Sequence, residues 1–351
     1  MPIRKSILFL IVACTTSASD LATTDLYVTG VGGYHSYRIP ALLATKKDTL
    51  LAFCEGRKTS SGDSGDIDLV LRRSKDGGKT WSAMKVVYEE GGNAPITIGN
   101  PSPVEDRKTG VIHLLFTRNN QRVFVTQSHD EGATWSTPVE ITSALSGFAF
   151  GWARIGAGPG HAIQLRSGRL LVPVWLNDRI RGNYRSAAVY SDDHGTTWKP
   201  GGIVPPAAAT NANECMMYQR RDGTVVVNMR SSIHLRHTAM SRDGGMTWSD
   251  PVPVESMPDP VCQGSVVQLA NGRVVFANPA SDKRRVNLTL RLSEDDGATW
   301  PLAKAMHAGP AGYSDLAAGK RGTLFILYEG GEKTAADRIR FARIPESWLR
   351  R

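Results

Sequence analysis

Three features of the sequence predict an all-β fold. The 351 residues include 35 glycines, many of which stand in short turns between apolar runs. An eight-residue motif occurs five times, and a strand–turn–strand pattern occurs six times. Repeats with a period close to that of a four-stranded blade are typical of β-propellers. We therefore expect a six-bladed β-propeller with four antiparallel strands in each blade.

The eight-residue motif, the Asp-box, has the form S-x-D-x-G-x-T-W without substitution at any fixed position. Its aspartate can accept backbone N–H groups and its glycine supplies a positive φ. Its Thr-Trp pair is expected to resume a strand, with the indole in the core. We assign the motif a structural role as a β-turn. The copies span residues 74–81, 128–135, 191–198, 241–248 and 293–300.

The strand–turn–strand units extend along the whole chain after its N-terminal segment. Each of the first five is followed by an Asp-box, and the sixth is followed by a short strand over 338–344. Six blades therefore account for residues 22–351 as one domain, and closing the ring removes exposed sheet edges. The units span residues 41–55, 102–118, 161–176, 216–230, 265–279 and 315–329.

Residues 1–18 are predicted to be an export signal. Arg4 and Lys5 precede an apolar run that is too short to span a bilayer, and small residues follow it. Ile-Val-Ala-Cys, ending at Cys14, resembles a lipobox, which would make Cys14 a lipidated N-terminus. The alternative is plain cleavage near Ala18. Both interpretations predict an extracytoplasmic protein, either periplasmic, secreted or an outer-membrane lipoprotein.

Composition narrows the range of partners. The net charge of +9 suits an anionic partner, but no Lys/Arg run with interleaved aromatics indicates nucleic acid. Cys54, Cys215 and Cys262 show no metal-ligand or disulfide spacing and are expected to be buried as small apolar residues. His234 and His237 lack a third ligand nearby. We expect no metal, no cofactor and a monomer.

Strand direction places the unusual polar residues at one end of the propeller. The start of a first strand, the end of a second strand and the start of a third strand share one edge of a blade, whereas the Asp-box lies at the opposite edge. Polar groups that converge at such a mouth are expected to bind a ligand. Residues at these positions are Arg38, Glu214 and Tyr313 before first strands, Asp63 after a second strand, Arg230 and Glu329 ending second strands, and Arg285 opening a third.

The chemistry of this set indicates an acidic ligand. Three arginines that meet at one point repel each other unless an anion joins them, and guanidinium groups hold carboxylates through bidentate hydrogen bonds. A glutamate and a tyrosine nearby could form a base and a nucleophile. A loop aspartate could protonate a leaving group and later activate water.

The sequence resembles the sialidase (neuraminidase) family over essentially all of residues 22–351. The resemblance depends on the order and spacing of short matching pieces as well as on the five Asp-boxes. The pieces are Tyr37-Arg38-Ile39-Pro40, Glu55-Gly56-Arg57, Asp63 ahead of residues 66–74, Asn213-Glu214, Asn228-Met229-Arg230, Arg285-Val286-Asn287, Gly312-Tyr313-Ser314-Asp315-Leu316 and Leu327-Tyr328-Glu329.

The resemblance implies a retaining exo-α-sialidase that removes terminal sialic acid from glycoproteins, gangliosides or oligosaccharides. It implies that Arg38, Arg230 and Arg285 clamp the sugar carboxylate. It also implies that Glu329 holds Arg38 and that Arg57 contacts the sugar. Sialidases differ from most retaining glycosidases in using a tyrosine nucleophile.

The resemblance also implies the catalytic groups. Tyr313 would attack the anomeric carbon with Glu214 as its base, and Asp63 would serve as acid and then base. Asp66 and Asp68 compete for the acid role, although their place in a strand favours a structural function.

Several alternatives stay open at this point. Arg284 competes with Arg285 as the third clamp, Glu55 is expected to pair with Arg57, and Asn100 either lines the acetamido pocket or forms a turn. The protein could also be a non-catalytic sialic-acid-binding propeller, a trans-sialidase or a hydrolase of a related nonulosonic acid. The rim loops near residues 91–98 and 148–155 would set linkage preference.

Overall fold

The computed structural model describes residues 21–206 and 211–350. Within these ranges, the regular structure is 24 β-strands, three 3-10 helices and one four-residue α-helix. The predicted all-β class is therefore confirmed. The predicted export signal, including Cys14, lies outside the described residues. None of the helices in the described ranges has the length and apolar character needed to cross a membrane.

Four of the five hydrogen-bonded sheets are built from strands that follow one another in sequence. The first unit contains β2 (Ser36–Ala44), β3 (Leu50–Arg57), β4 (Ile67–Ser74) and β5 (Lys85–Tyr88). The second contains β6 (Ile98–Glu105), β7 (Ile112–Arg118), β8 (Arg122–Ser128) and β9 (Val139–Glu140). The third contains β10 (Arg154–Ala157), β11 (Ile163–Gln164), β12 (Leu170–Asn177), β13 (Tyr184–Ser191) and β14 (Lys199–Ile203). The fourth contains β15 (Cys215–Gln219), β16 (Val225–Met229), β17 (Leu235–Ser241) and β18 (Val252–Pro258).

The remaining sheet has seven strands because one long strand belongs to two four-stranded units. The first part of β22 (Leu302–Ala318) pairs with β21 (Val286–Ser293), and its last part pairs with β23 (Leu324–Gly330). The fifth unit is β19 (Ser265–Gln268), β20 (Val274–Pro279), β21 and β22. The sixth is β22, β23, β24 (Arg338–Ile344) and β1 (Thr23–Val28), so the first strand of the chain completes the last unit.

The helices are short and lie outside these units. The 3-10 helices are Thr142–Leu145, Lys320–Gly322 and Ala335–Asp337, and the α-helix is Glu346–Leu349.

The apolar core lies between the units. Leu51 of the first unit shares a cluster with Phe116 of the second, and comparable clusters join the second to the third and so on to the sixth. Leu42 of the first unit also packs in one cluster with Phe341 of the sixth. Both faces of most strands are therefore buried, because each sheet packs against two neighbours. Cys54, Cys215 and Cys262 are free and buried, as predicted.

Each Asp-box forms the predicted turn between a third and a fourth strand. In the fourth copy, the Gly245 N–H donates to Ser241 Oγ at 2.8 Å. The Thr247 N–H and hydroxyl donate to the two Asp243 carboxylate oxygens at 2.9 and 2.6 Å. Partial burial alone would raise the pKa of Asp243, but hydrogen bonds from Thr247 and Ser241 lower it to about 2.

The Asp-box tryptophans differ from the prediction in one respect. All five are among the described residues and lie outside strands, so they do not resume the sheet. The turn instead faces the preceding unit: Gly245 has a φ of +90°, and a Cβ there would come within 2.9 Å of Leu171 in the third unit. Trp248 packs into the same gap and donates its indole N–H to Gly202 O. The indole thus fills the space between two sheets before the fourth strand begins.

We expect Asp243→Ala to lower the free energy of unfolding by roughly 1–3 kcal/mol, because four hydrogen bonds to a carboxylate are lost. Urea unfolding at neutral pH would measure this, with Asp222→Ala as the control, since Asp222 accepts one turn hydrogen bond from Thr224. Asp243 ionises more readily in the folded chain, so its contribution is present above its ordinary pKa of 3.8 and is lost as pH falls through about 2. Equal losses in the two variants would contradict a special role for the Asp-box.

Candidate active site

A cavity of about 340 Å³ lies at the edge where first strands begin and second strands end. The Asp-boxes lie at the opposite edge. Seven of the eight residues predicted for the site line this cavity, and Glu329 lies behind it in contact with Arg38. The lining residues are Arg38, Ile39, Glu55, Arg57, Asp63, Thr97, Asn100, Asn120, Arg154, Trp175, Tyr184, Asn213, Glu214, Arg230, Arg285 and Tyr313.

The lining carries an excess of positive charge. It contains five arginines but only three carboxylates, one of which, Glu55, is bonded to Arg57. Such an arrangement attracts an anion and disfavours a cation. No group of three or more His, Cys, Asp or Glu side chains among residues 21–206 and 211–350 is arranged to hold a metal ion.

Tyr313 and Glu214 form the central pair of the cavity. The Tyr313 hydroxyl donates to Glu214 Oε1 at 2.5 Å. Arg230 Nη1 donates to the other Glu214 oxygen at 2.6 Å and to the Tyr313 hydroxyl oxygen at 3.1 Å. Burial raises the pKa of Tyr313 well above its ordinary value, and the Glu214 charge raises it further. The phenol is therefore neutral at rest, with a carboxylate ready to accept its proton.

Glu329 joins the two strand segments that carry Arg38 and Tyr313. One carboxylate oxygen accepts Arg38 Nε at 2.8 Å and the Ile39 N–H at 2.9 Å, and the other accepts the Tyr313 N–H at 3.1 Å. The backbone N–H groups of Ile39 and Tyr313 need a side-chain acceptor because the strand register breaks at residues 38–41 and 311–314. Ile39 has a φ of +59°, an unfavourable conformation for a β-branched residue.

These irregularities change where two predicted residues lie. The sequence placed Arg38 and Tyr313 before first strands, but they lie inside β2 and β22. The register breaks let the two residues face the cavity although the strands continue past them. Glu214 precedes β15, Arg230 follows β16 and Arg285 precedes β21, close to the predicted positions.

Asp63 lies in the loop between β3 and β4 and is held by Arg57. Arg57 is buried, bonds Glu55 through Nε and Nη2, and donates from Nη1 to Asp63 Oδ1 at 2.9 Å. The expected pairing of Glu55 with Arg57 is thus present. The Asp63 side chain is 85% exposed. The cavity walls remove part of the water around the carboxylate and so raise its pKa, but the Arg57 and Arg38 charges outweigh this effect and lower the pKa below its usual value.

Arg285 completes the arginine trio. Its Nη2 donates to Val261 O at 3.0 Å, and its guanidinium carbon lies 5.6 Å from the centre of the Tyr313 ring. The Arg38 guanidinium carbon lies 5.3 Å from the same ring. Among the described residues, Arg285 lines the cavity and Arg284 does not.

Comparison with known proteins identifies the family. A family model described as a BNR repeat-like domain matches residues 48–326. A sialidase from Micromonospora viridifaciens is 34% identical over 360 residues, which cover 93% of this chain and 54% of that protein. Sialidase-2 from Cricetulus griseus is 32% identical over 330 residues, covering 81% and 85% of the two chains. The chain belongs to the sialidase family.

A solved structure agrees with this assignment. The Hadza microbial sialidase Hz136 superposes with a TM-score of 0.81 and 27% identity, covering 90% of this chain and 67% of that one. The resemblance found in the sequence is therefore confirmed. The chain spans about half the length of the Micromonospora viridifaciens protein.

The alternative candidates for the acid, Asp66 and Asp68, have other partners. Lys58 Nζ lies 3.1 Å from Asp66 and 3.4 Å from Asp68, and the Tyr34 hydroxyl donates to Asp68 at 2.6 Å. Of these described residues, neither aspartate lines the cavity. Asn100 does line it, and its side-chain amide donates to Asn120 Oδ1 at 2.7 Å.

Some residues that line the cavity were not predicted from the sequence. Trp175 lies near the end of the second strand of the third unit and Tyr184 opens its third strand, so the strand-direction argument applied to this unit would have found both. Arg154 falls at the end of the expected rim loop 148–155. Asn213 accepts the Glu214 N–H at 2.7 Å, a contact that only the structure reveals.

Proposed function

We propose that the protein is a retaining exo-α-sialidase. The observation that carries the proposal is the hydrogen bond from the Tyr313 phenol to the Glu214 carboxylate, surrounded by Arg38, Arg230 and Arg285. The membership of the sialidase family supports it. The cavity volume of about 340 Å³ is near the lower end of ligand pockets, about 300–1,000 Å³, and suits one terminal sugar.

The three arginines would bind the substrate carboxylate. Guanidinium groups offer planar pairs of donors that match a carboxylate, and mutual repulsion of the arginines is relieved when the anion enters. Glu329 is 1% exposed and holds Arg38 from behind, so this arginine keeps its orientation without a ligand. The proposed substrates are sialylated glycoproteins, gangliosides and oligosaccharides.

The chemical steps follow from the polar contacts. Tyr313 oxygen attacks the anomeric carbon while its proton passes to Glu214, and the glycosidic bond breaks as Asp63 protonates the departing oxygen. Water then attacks the anomeric carbon and the sugar–tyrosine bond breaks, while Asp63 takes a proton from that water and Glu214 returns its proton to the Tyr313 oxygen. The anomeric carbon carries a carboxylate, so a neutral nucleophile avoids the repulsion that an anionic one would meet.

We also propose that the six units are the blades of one closed propeller, in which β10 and β11 together form the first strand of the third blade. The apolar clusters between successive units support this, as does the cluster that joins the sixth unit to the first. Pairing of β1 with β24 would fasten the two ends of the chain within one blade. A closed ring of this kind suits a monomer, which we propose as the state of the protein.

An extracytoplasmic location, whether periplasmic, secreted or at the outer membrane, is part of the proposal. It is supported by the basic and then apolar residues at the start of the sequence. The mass of the mature N-terminus would distinguish lipidation at Cys14 from cleavage near Ala18.

Hydrolysis of an aryl α-sialoside by the purified chain tests the function. We expect turnover, with the α-anomer of sialic acid seen first by proton NMR because two displacements restore the configuration. Binding of sialic acid without turnover would contradict the enzymatic function and favour a sialic-acid-binding protein. The absence of both binding and turnover would contradict sialic acid as the ligand.

A matched pair of arginine variants serves as the control for this experiment. Arg285→Lys is expected to raise KM, since an ammonium group cannot reproduce two parallel hydrogen bonds to a carboxylate. Arg284→Lys, one residue away and exposed, is expected to leave KM unchanged. The same KM in both variants would remove Arg285 from the clamp.

A further inference from the structure

A buried loop behind the cavity contacts two of its functional residues. The loop spans residues 259–263 and connects β18 to β19. Asp259, Cys262 and Gln263 are fully buried, and Cys262 packs against Tyr313 and Ile39. The sequence indicated only that Cys262 is buried, and gave the other two residues no role.

Gln263 holds both backbone polar groups of Ser314, the residue that follows Tyr313. Its side-chain oxygen accepts the Ser314 N–H at 3.1 Å, and its amide nitrogen donates to Ser314 O at 3.0 Å. The same amide also donates to Pro159 O at 3.2 Å. Because the register of β22 breaks just before Ser314, this side chain replaces contacts that a neighbouring strand would otherwise supply. Gln263 therefore fixes the backbone on the C-terminal side of Tyr313, as Glu329 does at Tyr313 N.

The middle of the loop holds Arg285. Val261 O accepts Arg285 Nη2 at 3.0 Å. Val261 has a φ of +57°, which a β-branched residue adopts only when its surroundings impose it. The direction of its carbonyl is thus set by the residues on either side of it in the loop.

A buried ion pair fixes the start of the loop. Arg236 and Asp259 are both fully buried, and Arg236 Nη1 lies 3.1 Å from Asp259 Oδ2. The same nitrogen donates to Cys262 O at 2.7 Å, and Asp259 Oδ1 accepts the Cys262 N–H at 2.8 Å. Arg236 Nε donates to Asn228 Oδ1 at 2.8 Å. Burying two charges is costly, and a plain apolar contact would stabilise the fold as well. This pair instead fixes both polar groups of the Cys262 backbone.

We propose that the 259–263 loop positions the nucleophile and one clamp arginine relative to each other. In this arrangement, Gln263 is a positioning residue for Tyr313, and the Arg236–Asp259 pair positions Arg285 through the Val261 carbonyl. The inference rests on the proposed sialidase function and adds residues that touch neither the substrate nor the reacting atoms. It also explains why a glutamine and an ion pair are buried where apolar side chains would pack.

The first test is Gln263→Ala with an aryl α-sialoside. We expect kcat to fall by roughly 10- to 100-fold, because a displacement of about 1 Å at a reacting group has an effect of this size. KM should change less than about threefold, since the arginines stay in place. Gln219→Ala is the matched control: Gln219 also bonds the backbone at two points, to Arg166 N and Gly223 O, at the Asp-box edge. Its kcat and KM should match those of the wild-type protein.

Other variants keep the proposal testable if Gln263→Ala does not fold. Gln263→Glu keeps an acceptor for the Ser314 N–H and should lose less kcat than the alanine variant. Arg236→Lys keeps a cation beside Asp259 but cannot also reach Asn228 and Cys262, so it should raise KM severalfold with a smaller change in kcat. The proposal assigns Gln263 to the position of Tyr313 and Arg236 to the position of Arg285. It would be overturned if the Gln263 variants and Arg236→Lys showed the same changes in kcat and the same changes in KM.

A structural measurement separates this inference from the proposed function. In a crystal structure of the alanine or glutamate variant of Gln263, the Tyr313 hydroxyl should lie farther from Glu214 than 2.5 Å. An unmoved Tyr313 would overturn the positioning role whether or not the protein is a sialidase. Absence of turnover in the wild-type protein, with Tyr313 displaced in the variant, would contradict the proposed activity alone.

Discussion

Replacing Tyr313 by phenylalanine is expected to lower kcat by roughly 10³-fold. The variant loses the oxygen that would bond to the sugar but keeps the ring that Arg38 and Arg285 contact. KM for the sialoside and the Kd for sialic acid should change little, because the clamp arginines keep their partners in Glu329 and Val261 O. Steady-state kinetics with an aryl α-sialoside and calorimetric titration with sialic acid would measure the two effects.

Tyr34→Phe is the matched control for this substitution. Tyr34 is also buried and also donates to a carboxylate, Asp68, at 2.6 Å. It does not line the cavity that the described residues form. Its loss should leave kcat unchanged. Turnover like that of the wild-type protein in Tyr313→Phe would remove Tyr313 from the mechanism, and an equal loss in Tyr34→Phe would indicate a general effect of losing a buried hydroxyl.

The charges around Tyr313 explain how a neutral phenol can act as a nucleophile. Its raised pKa keeps the proton in place until the sugar arrives. As the oxygen attacks, its proton passes to the Glu214 carboxylate, which accepts a hydrogen bond from Arg230, and negative charge leaves Glu214 and develops on the Tyr313 oxygen. Arg230 also contacts the Tyr313 hydroxyl, so one guanidinium stabilises the charge before and after the proton transfer.

Much of this site could be predicted from the sequence, because strand direction fixes which residues reach one edge. Glu214, Arg230 and Arg285 lie at the boundaries of their strands, where strand direction alone predicts the edge that a residue reaches. Arg38 and Tyr313 come to the same edge, but inside strands whose register breaks. Those breaks could not be predicted from local patterns, since the partner that satisfies the freed N–H groups, Glu329, is 290 residues from Ile39.

The loop behind the site could not be predicted for a related reason. Gln263 and Asp259 lie in a connection without strand periodicity, so no pattern marks them as buried. Arg236 lies inside β17, where a charged residue is usually expected to face solvent. Their roles depend on contacts between strands of different units, and such contacts are visible only once the units are packed together.

Replacing Asp63 by asparagine is expected to affect substrates according to their leaving group. For an alkyl α-sialoside, kcat/KM should fall by roughly 10²- to 10⁴-fold, because the departing alkoxide needs a proton. For a nitrophenyl α-sialoside, kcat/KM should change much less, since the phenolate leaves without help. Its kcat should still fall, because Asp63 also activates water in the second step, and a burst of nitrophenol should then precede slow turnover.

Asp66→Asn is the control, because Asp66 is three residues away and its carboxylate pairs with Lys58. It should leave the leaving-group dependence of the wild-type protein intact. Equal losses of kcat/KM on both substrates in Asp63→Asn would exclude Asp63 as the acid, and a leaving-group dependence that appears only in Asp66→Asn would transfer the role to Asp66.

The pH dependence of kcat and kcat/KM is an independent test of Asp63 as the acid. Arg57 and Arg38 lower the pKa of Asp63 in the free enzyme, so the protonated acid is lost as pH rises through a low value. A bound carboxylate neutralises part of the arginine charge and should raise that pKa. For the alkyl substrate, kcat should therefore decline at a higher pH than kcat/KM does, and Asp63→Asn should lack both declines.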